Sequence, residues 1–323
     1  MKGRFSVATF GAALACAGLF GCGGGGGGGG GPAGLPQPPS TPITISASNI
    51  NQVTDASLDP AVGGTGVFGA SIASADTPQS NPGVLLRAMQ AVASEAKKPR
   101  STSSGLSDAP VTEPCFVSGS VTVDASGTSA TIRFNACSDA PNQVIDGTVS
   151  ATGISDDGIN FSASFSVDIS FTEPGSQPLR LVGNFSISQN CPSPGTCTGT
   201  FSGSSLGAAH GLEVWFISSF SIISVENAGV ISVTASYTVS SSDLNGSVSV
   251  VTNNPILIMS GVGTYPHGGQ IQVTGANNSR AIITINNSTP SDVNAVTVDI
   301  DLAPGDGVPD ITSNFSWNAL EAI

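Results

Sequence analysis

The sequence predicts a mainly β protein: an antiparallel meander forming a large twisted sheet, a sandwich or a partly closed barrel, with one or two N-terminal helices packed on it. The first observation is alternation: in residues 161–171 the odd positions are apolar and the even ones are Ser or Asp, and residues 231–239 repeat the pattern. The second is the frequency of turn signals between such segments, among them Asp157-Gly158 and Asn245-Gly246. One apolar and one polar face are typical of antiparallel sheets, and such short connections leave no room for helical crossovers.

The chain begins with the pattern of an export signal. Lys2 and Arg4 precede an apolar stretch over residues 5–20 that is too short for a permanent membrane-spanning helix. It ends in Leu-Phe-Gly-Cys at 19–22, which resembles the lipobox of bacterial lipoproteins, although Phe20 stands where that family prefers a small residue. The resemblance implies a signal peptide over residues 1–21 and a lipoprotein whose Cys22 carries acyl chains such as palmitate. Cys16 is an alternative acceptor, and an ordinary secretory peptide or an uncleaved anchor is the alternative interpretation.

Residues 22–41 are predicted to form a tether. Nine glycines follow Cys22 and a Pro-rich run follows them, a composition that cannot bury enough apolar surface to offset backbone entropy. Several acyl chains are enough for stable anchoring, so the membrane is the expected partner. Glycine follows Cys22 where enterobacterial lipoproteins kept in the inner membrane have aspartate. By resemblance, this implies the outer membrane of the bacterial cell envelope.

The charge of the remaining chain restricts its partners. From residue 101 onward there are three arginines, no lysine and eighteen acidic residues. An acidic surface repels phosphate groups, which excludes nucleic acid and disfavours anionic lipid headgroups. The simplest interpretation is that this charge keeps a Ser/Thr-rich secreted β protein soluble.

Four cysteines lie beyond the signal segment, and an even number in an exported chain predicts disulfide bonds. Cys191 and Cys197 enclose a short loop rich in proline and glycine. A hairpin centred on Pro194 places these two cysteines opposite each other, and it also places Ile187 opposite Phe201. The sequence therefore favours a bond between Cys191 and Cys197.

Cys115 then pairs with Cys137, around a hairpin that turns at residues 124–127. Here the alternation of apolar residues places Val117 opposite Phe134. This leaves the two cysteines one residue out of register, which a β-bulge would correct. A zinc site is disfavoured because the four cysteines lack the close spacing of such sites.

Residues 42–100 predict a helical N-terminal segment. Residues 43–45 are predicted as a short strand, and Ser48 or Asn49 as the cap of a short helix that ends at Pro60. A stronger helix is predicted over residues 82–98, where apolar residues recur at helical spacing. Docking of its apolar face on the sheet is preferred over binding to a partner or to the membrane.

Residues 101–323 form the predicted antiparallel β body. Besides the two alternating segments, strands are expected near residues 117–124, 129–135, 144–152, 179–188, 197–203, 212–225, 246–251, 269–275, 280–286, 294–301 and 311–317. The final stretch, from Gly269 through Asp299 to Leu320, resembles the end of a group of uncharacterised proteobacterial lipoproteins. In that group a lipobox, a glycine run, an N-terminal helical piece and a Ser/Thr-rich β body occur together. The resemblance brings no known activity.

Two patterns carry possible chemistry. Residues 203–207, Gly-Ser-Ser-Leu-Gly, match the nucleophile elbow of serine hydrolases, with His210 close by; without the required strand-to-helix turn we interpret the match as chance. His267 is the other histidine, and both are predicted in loops. The acidic residues around Gly307 have the hard oxygen ligands that calcium requires, but an acidic solvated turn is the preferred interpretation. The members of this acidic cluster are Asp299, Asp301, Asp306 and Asp310.

The sequence thus predicts a membrane-anchored extracytoplasmic lipoprotein that is not an enzyme, needs no cofactor, and uses its β body for structural or adhesive contacts. The alternative is a carrier of lipid or another apolar ligand, in which a curved sheet closes around a cavity lidded by the helix at 82–98. A hollow apolar cavity would favour the carrier, and a core filled by side chains would count against it.

Overall fold

A computed structural model describes residues 34–69, 110–140, 143–172, 177–193, 195–259, 265–302 and 306–320 of the chain. The predicted signal peptide over residues 1–21, Cys22, most of the tether and the predicted helix at 82–98 lie outside the described residues. The prediction that this helix docks on the sheet therefore remains a prediction.

The described residues form one antiparallel sheet of fourteen strands, in which every strand pairs with its neighbours in sequence. The first and last strands do not pair with each other, so the sheet is an open meander. This confirms the predicted fold class. The strands are β1 (Val111–Pro114), β2 (Ser118–Ser126), β3 (Ser129–Ala140), β4 (Gln143–Asp156), β5 (Asn160–Thr172), β6 (Leu179–Ser193), β7 (Thr196–His210), β8 (Glu213–Asn227), β9 (Val230–Ser241), β10 (Gly246–Met259), β11 (Gly268–Thr274), β12 (Arg280–Ile285), β13 (Val296–Asp301) and β14 (Ile311–Phe315).

Alternation along the strands places the core on one face of the sheet. In β5, Phe165, Val167 and Ile169 are buried while the intervening Ser166 and Asp168 are exposed, as predicted. β-Branched and aromatic side chains fill this face from β3 to β13, which fits their preference for a pleated surface. We call the opposite face, where the serines and threonines lie, the outer face.

A bulge in β8 changes which positions face the core. Phe216 lies on the outer face and Ile217 in the core, whereas beyond Ser219, whose φ is 49°, the even positions Phe220 and Ile222 face the core. A β-bulge adds one residue to a strand and so exchanges its two faces. As a result, β8 buries Val214 and Phe216 on the outer face near its start, and it buries Phe220 and Ile222 on the core face beyond the bulge.

The segment before the first helix crosses one end of the sheet, and we call residues 34–46 the strap. Leu35 packs on the outer face in a small cluster with Val182, Ala209, Val214 and Phe216. Further on, Ser247 donates its backbone N–H to Thr41 O and accepts from Ile43 N, each at 3.0 Å. Ile45 is fully buried in the core on the other face, and its N–H donates to Ser279 Oγ at 2.9 Å. The strap therefore passes from the outer face to the core face around the turns that precede β10 and β12.

Helix α1 (Ile50–Gly69) packs on the core face over β8, β9 and β10. Asn49 precedes its first turn as predicted, although its side chain accepts from Ser46 N rather than from the helix. The prediction that the helix ends at Pro60 is wrong, because Pro60 lies inside α1. An internal proline costs about 3 kcal/mol, and burial of Val53 and Leu58 against the sheet offsets that loss. Tyr237 of β9 donates its hydroxyl to Ser57 O and ties the helix down.

A short second helix, α2 (Trp317–Leu320), covers the end of the sheet opposite the strap. Trp317 donates its indole N–H to Asn287 O at 2.9 Å and stacks on Tyr265, with ring centroids 5.1 Å apart. The loops after β10 and β12 are thereby joined to the C-terminal end of the sheet. In the described part of the chain, no helix is long and apolar enough to cross a membrane.

Candidate functional site

A regular feature of the outer face is a pair of rows that run across the strands, built from hydroxyl side chains and Asn184; we call them the hydroxyl rows. Residues in each row are successive cross-strand partners, and such partners lie about 5 Å apart. The first row is Thr152, Ser164, Ser186, Ser202, Ser221 and Ser236, from β4 to β9. The second is Thr131, Ser150, Ser166, Asn184, Ser205, Ser218 and Thr238, from β3 to β9. Neither row contains a charged side chain.

A shallow depression of about 180 Å³ lies beside the first row. It is lined by Gly153 and by serines that include Ser162, Ser188 and Ser202. Ser164 and Ser186, also in its lining, have their Oγ atoms 2.9 Å apart. Ala163 and Ile187 complete the lining, so the depression is open and of mixed polarity, unlike the enclosed apolar cavity that a lipid carrier requires.

The Gly-Ser-Ser-Leu-Gly match is part of this hydroxyl face. Residues 203–207 lie inside β7, and Ser205 pairs with Asn184 and Ser218 in the second row. His210 ends the same strand opposite Glu213. A nucleophile elbow needs a sharp turn from strand to helix, and these residues lie inside a strand instead. The two glycines have a packing role instead: a Cβ on Gly207 would lie 2.1 Å from the ring of Phe216.

The acidic turn between β13 and β14 is centred on Asp301, whose side chain is buried. Its Oδ2 accepts from Arg280 Nη2 at 2.9 Å and from Gly307 N at 2.8 Å, and its Oδ1 accepts from Asp306 N at 3.1 Å. The Arg280 guanidinium holds the pKa of this carboxyl below its usual value, against the opposing effect of burial and with support from the two backbone N–H groups. Asp301 thus closes the predicted turn at Asp306-Gly307.

The other carboxylates of the cluster also bond locally. Asp306 Oδ1 accepts from Val308 N, Asp310 Oδ2 accepts from Leu302 N, and Asp299 Oδ1 accepts from the hydroxyl of Thr312 at 2.6 Å. Within the described residues, no group of three or more histidine, cysteine or acidic side chains is placed to hold a metal ion. All four carboxylates therefore accept local hydrogen bonds, and the choice between a calcium site and an acidic solvated turn stays a prediction.

A second pair of carboxylates lies between α1 and the turn before β10. Burial raises the pKa of Asp55 to about 6, and the nearby carboxylate of Asp243 contributes to the rise. On the same helix, the hydroxyls of Thr54 and Ser57 are fully buried without a hydrogen-bond partner. Because the raised pKa of Asp55 favours its neutral form, the stability of the docked α1 should depend on pH.

Both predicted disulfides are present. Cys191 and Cys197 lie with Cα atoms 4.2 Å apart, and Ile187 pairs with Phe201 in the predicted register. The bond closes the hairpin of β6 and β7.

The bond between Cys115 and Cys137 joins Cα atoms 5.5 Å apart, but the hairpin around it differs from the prediction. Val121, not Val117, pairs with Phe134, and the turn lies at residues 127–128. The reason is β1, which the sequence did not reveal: because β1 pairs with β2, Cys115 falls in the connection between them. A register shift between Ser118 and Ser120 supplies the expected bulge.

Fold and site together define an open, disulfide-bonded antiparallel meander with a hydroxyl-lined outer face. No protein-family model matches the chain, and no curated protein and no solved structure matches it either. The resemblance to bacterial lipoproteins therefore remains a prediction from residues 19–22 and from the layout of the chain.

Proposed function

We propose that this protein is a lipid-anchored lipoprotein of the bacterial envelope whose β body makes non-catalytic structural or adhesive contacts through its outer face. The observation that carries the proposal is the pair of hydroxyl rows, which present an uncharged polar surface over six or seven strands. Two disulfides support an oxidising compartment outside the cytoplasm.

A surface of this kind suits extended contact rather than catalysis. A single hydrogen bond contributes only about 0.5–1.5 kcal/mol net, so useful affinity requires many of them at once. Hydroxyls about 5 Å apart along each row of a rigid sheet supply such repetition without the cost of ordering long side chains. The chemistry that fits is a neutral, polar and itself repetitive partner.

The carrier hypothesis has no comparable support. The described depression is open and lined mainly by serines, and isoleucine, valine and phenylalanine side chains pack in the core of the sheet. The lid on which the carrier depends, at residues 82–98, lies outside the described residues.

The anchor is tested by Cys22→Ser. We expect the variant to lose incorporation of radiolabelled palmitate and to leave the membrane fraction, with Cys16→Ser as the matched control that keeps both. Continued labelling of the Cys22 variant would move the acceptor to Cys16 or contradict the lipoprotein proposal.

The contact face is tested by charge. Ser164→Glu with Ser236→Glu adds two charges to the first row about four strands apart, and Ser118→Glu with Ser129→Glu adds the same charge to exposed positions outside the rows. We expect the first pair to weaken attachment of cells to surfaces or the integrity of the envelope, and the control pair to leave both unchanged. Wild-type behaviour of the first pair in both assays would overturn the proposed role of this face.

A further inference from the structure

The tip of the hairpin between β7 and β8 exposes apolar side chains beside the strap. Leu212, in the turn, is 95% exposed, and Trp215 is 40% exposed. The residues that alternate with Trp215, Val214 and Phe216, are buried under Leu35 of the strap. The β7–β8 hairpin therefore packs against the start of the strap through Val214 and Phe216. Near its tip the same hairpin exposes Leu212 and Trp215.

The chain from the anchor enters at this same end. Gly34 is fixed where its carbonyl accepts from Arg180 Nη1 at 2.8 Å, one residue into β6. From Cys22 to Gly34 the chain can span at most about 42 Å. Along β6 from Arg180 to Ser193 the strand rises about 43 Å, so even a completely extended tether would barely bring the opposite end to the bilayer.

This reach distinguishes the two ends of the sheet. The opposite end also carries exposed apolar residues, with Ile159 50%, Met259 47% and Val293 65% exposed. They lie beyond the distance that the tether allows in any relaxed form. The strap end, in contrast, lies within reach of the bilayer without stretching.

Charge indicates the kind of lipid surface. Glu213 follows the tip directly and Asp243 lies in the next turn at this end; both are exposed. Arg180 is paired with Asp168 at 3.0 Å and adds no free positive charge. Acidic flanks repel anionic headgroups, whereas leucine and tryptophan favour the interfacial layer of a neutral bilayer.

We propose that the tip of the β7–β8 hairpin, through Leu212 and Trp215, inserts into the interfacial layer of a zwitterionic bilayer, so that the sheet stands upright on its strap end. This rests on the proposed lipid anchor, since the tether brings the tip to the membrane. The anchor supplies the attachment and the tip supplies the orientation.

The test places the acylated full-length mature protein in phosphatidylcholine and phosphatidylethanolamine vesicles whose acyl chains carry bromine, which quenches nearby tryptophan. In Trp317→Phe, Trp215 is the remaining tryptophan, and we expect its emission to shift to the blue and to be quenched. In Trp215→Phe, Trp317 remains at the opposite end, and we expect no quenching. If Trp317→Phe fails to fold, the difference between the wild type and Trp215→Phe gives the same information.

Further variants locate the contact. Leu212→Ser should reduce the quenching of Trp215, while Val293→Ser, at the opposite end, should leave it unchanged. Replacing part of the neutral lipid by anionic phospholipid should also reduce it.

The outcomes separate the two proposals. Flotation with the vesicles without quenching of Trp215 would overturn the inserted tip and leave the anchor intact. Failure to float would contradict the lipid anchor, and the inserted tip would fall with it.

Discussion

Replacement of Gly246 by alanine should loosen the strap. An ideal Cβ at this position would lie 2.2 Å from Ile43 Cγ2 and 2.6 Å from Thr41 O. The carbonyl cannot retreat freely, because it accepts the backbone N–H of Ser247. Overpacking of this kind costs about 1–3 kcal/mol. In a body of this size each kcal/mol lowers Tm by roughly 2–4 °C, so we expect a decrease of roughly 2–12 °C.

The measurement is thermal unfolding followed by circular dichroism, with Gly268→Ala as the matched control. Gly268 begins a neighbouring strand, and its added Cβ would meet only a Leu257 methyl at 3.6 Å, an ordinary contact. The control should therefore melt like the wild type.

A double variant separates the steric cause from a general effect of alanine. Ile43→Ala removes the methyl that the new Cβ would strike, so Gly246→Ala should cost less in that background than in the wild type. Unchanged melting of Gly246→Ala, or full additivity with Ile43→Ala, would refute the reasoning.

Two further predictions concern protonation and cross-links. Because the pKa of Asp55 is raised to about 6 in the folded state, this group stabilises the fold below its unfolded pKa near 4 and loses that contribution as pH rises through 6. Allowing for its partial exposure, we expect denaturant unfolding to show about 1–2 kcal/mol less stability at pH 7 than at pH 4 from this group. Asp55→Asn should remove that difference, and an unchanged pH profile would contradict the assignment. Removal of the Cys115–Cys137 bond should lower the free energy of unfolding by about 3 kcal/mol, because the bond closes a loop in the unfolded chain. Removal of the Cys191–Cys197 bond, which closes a shorter loop, should lower it by about 2 kcal/mol. The reverse order would exclude loop closure as the cause.

The alternation of apolar and polar residues was enough to predict the fold class and most strands. It also predicted the register of Ile187 with Phe201, because both flanks of that hairpin keep one phase up to the disulfide. It failed where a bulge changes the phase: β7 was expected to end near residue 203 but continues to His210. β1 was missed because four exposed residues, ending in Pro114, show no alternation of burial.

The candidate site was harder to predict. The Ser/Thr face was visible in the sequence, but its order into rows depends on register, which only the assembled sheet provides. Leu212 and Trp215 gave no signal, since single apolar residues near turns are ordinary. They become notable only beside the strap, whose course depends on contacts far apart in the chain, such as Ile45 with Ser279.

The order of the strands has a consequence for how the molecule assembles. Every strand pairs with the one made just before it, so the sheet can grow one hairpin at a time as the chain emerges, with little loop-closure entropy at each step. The strap is different, because its hydrogen bonds join residues far apart in the sequence. Ser40 lies 207 residues before its partner Ser247, and Ile45 lies 234 residues before its partner Ser279. The strap, which is synthesised first, therefore reaches its final position late, and α1 completes its contacts with β8, β9 and β10 only after β10 has formed.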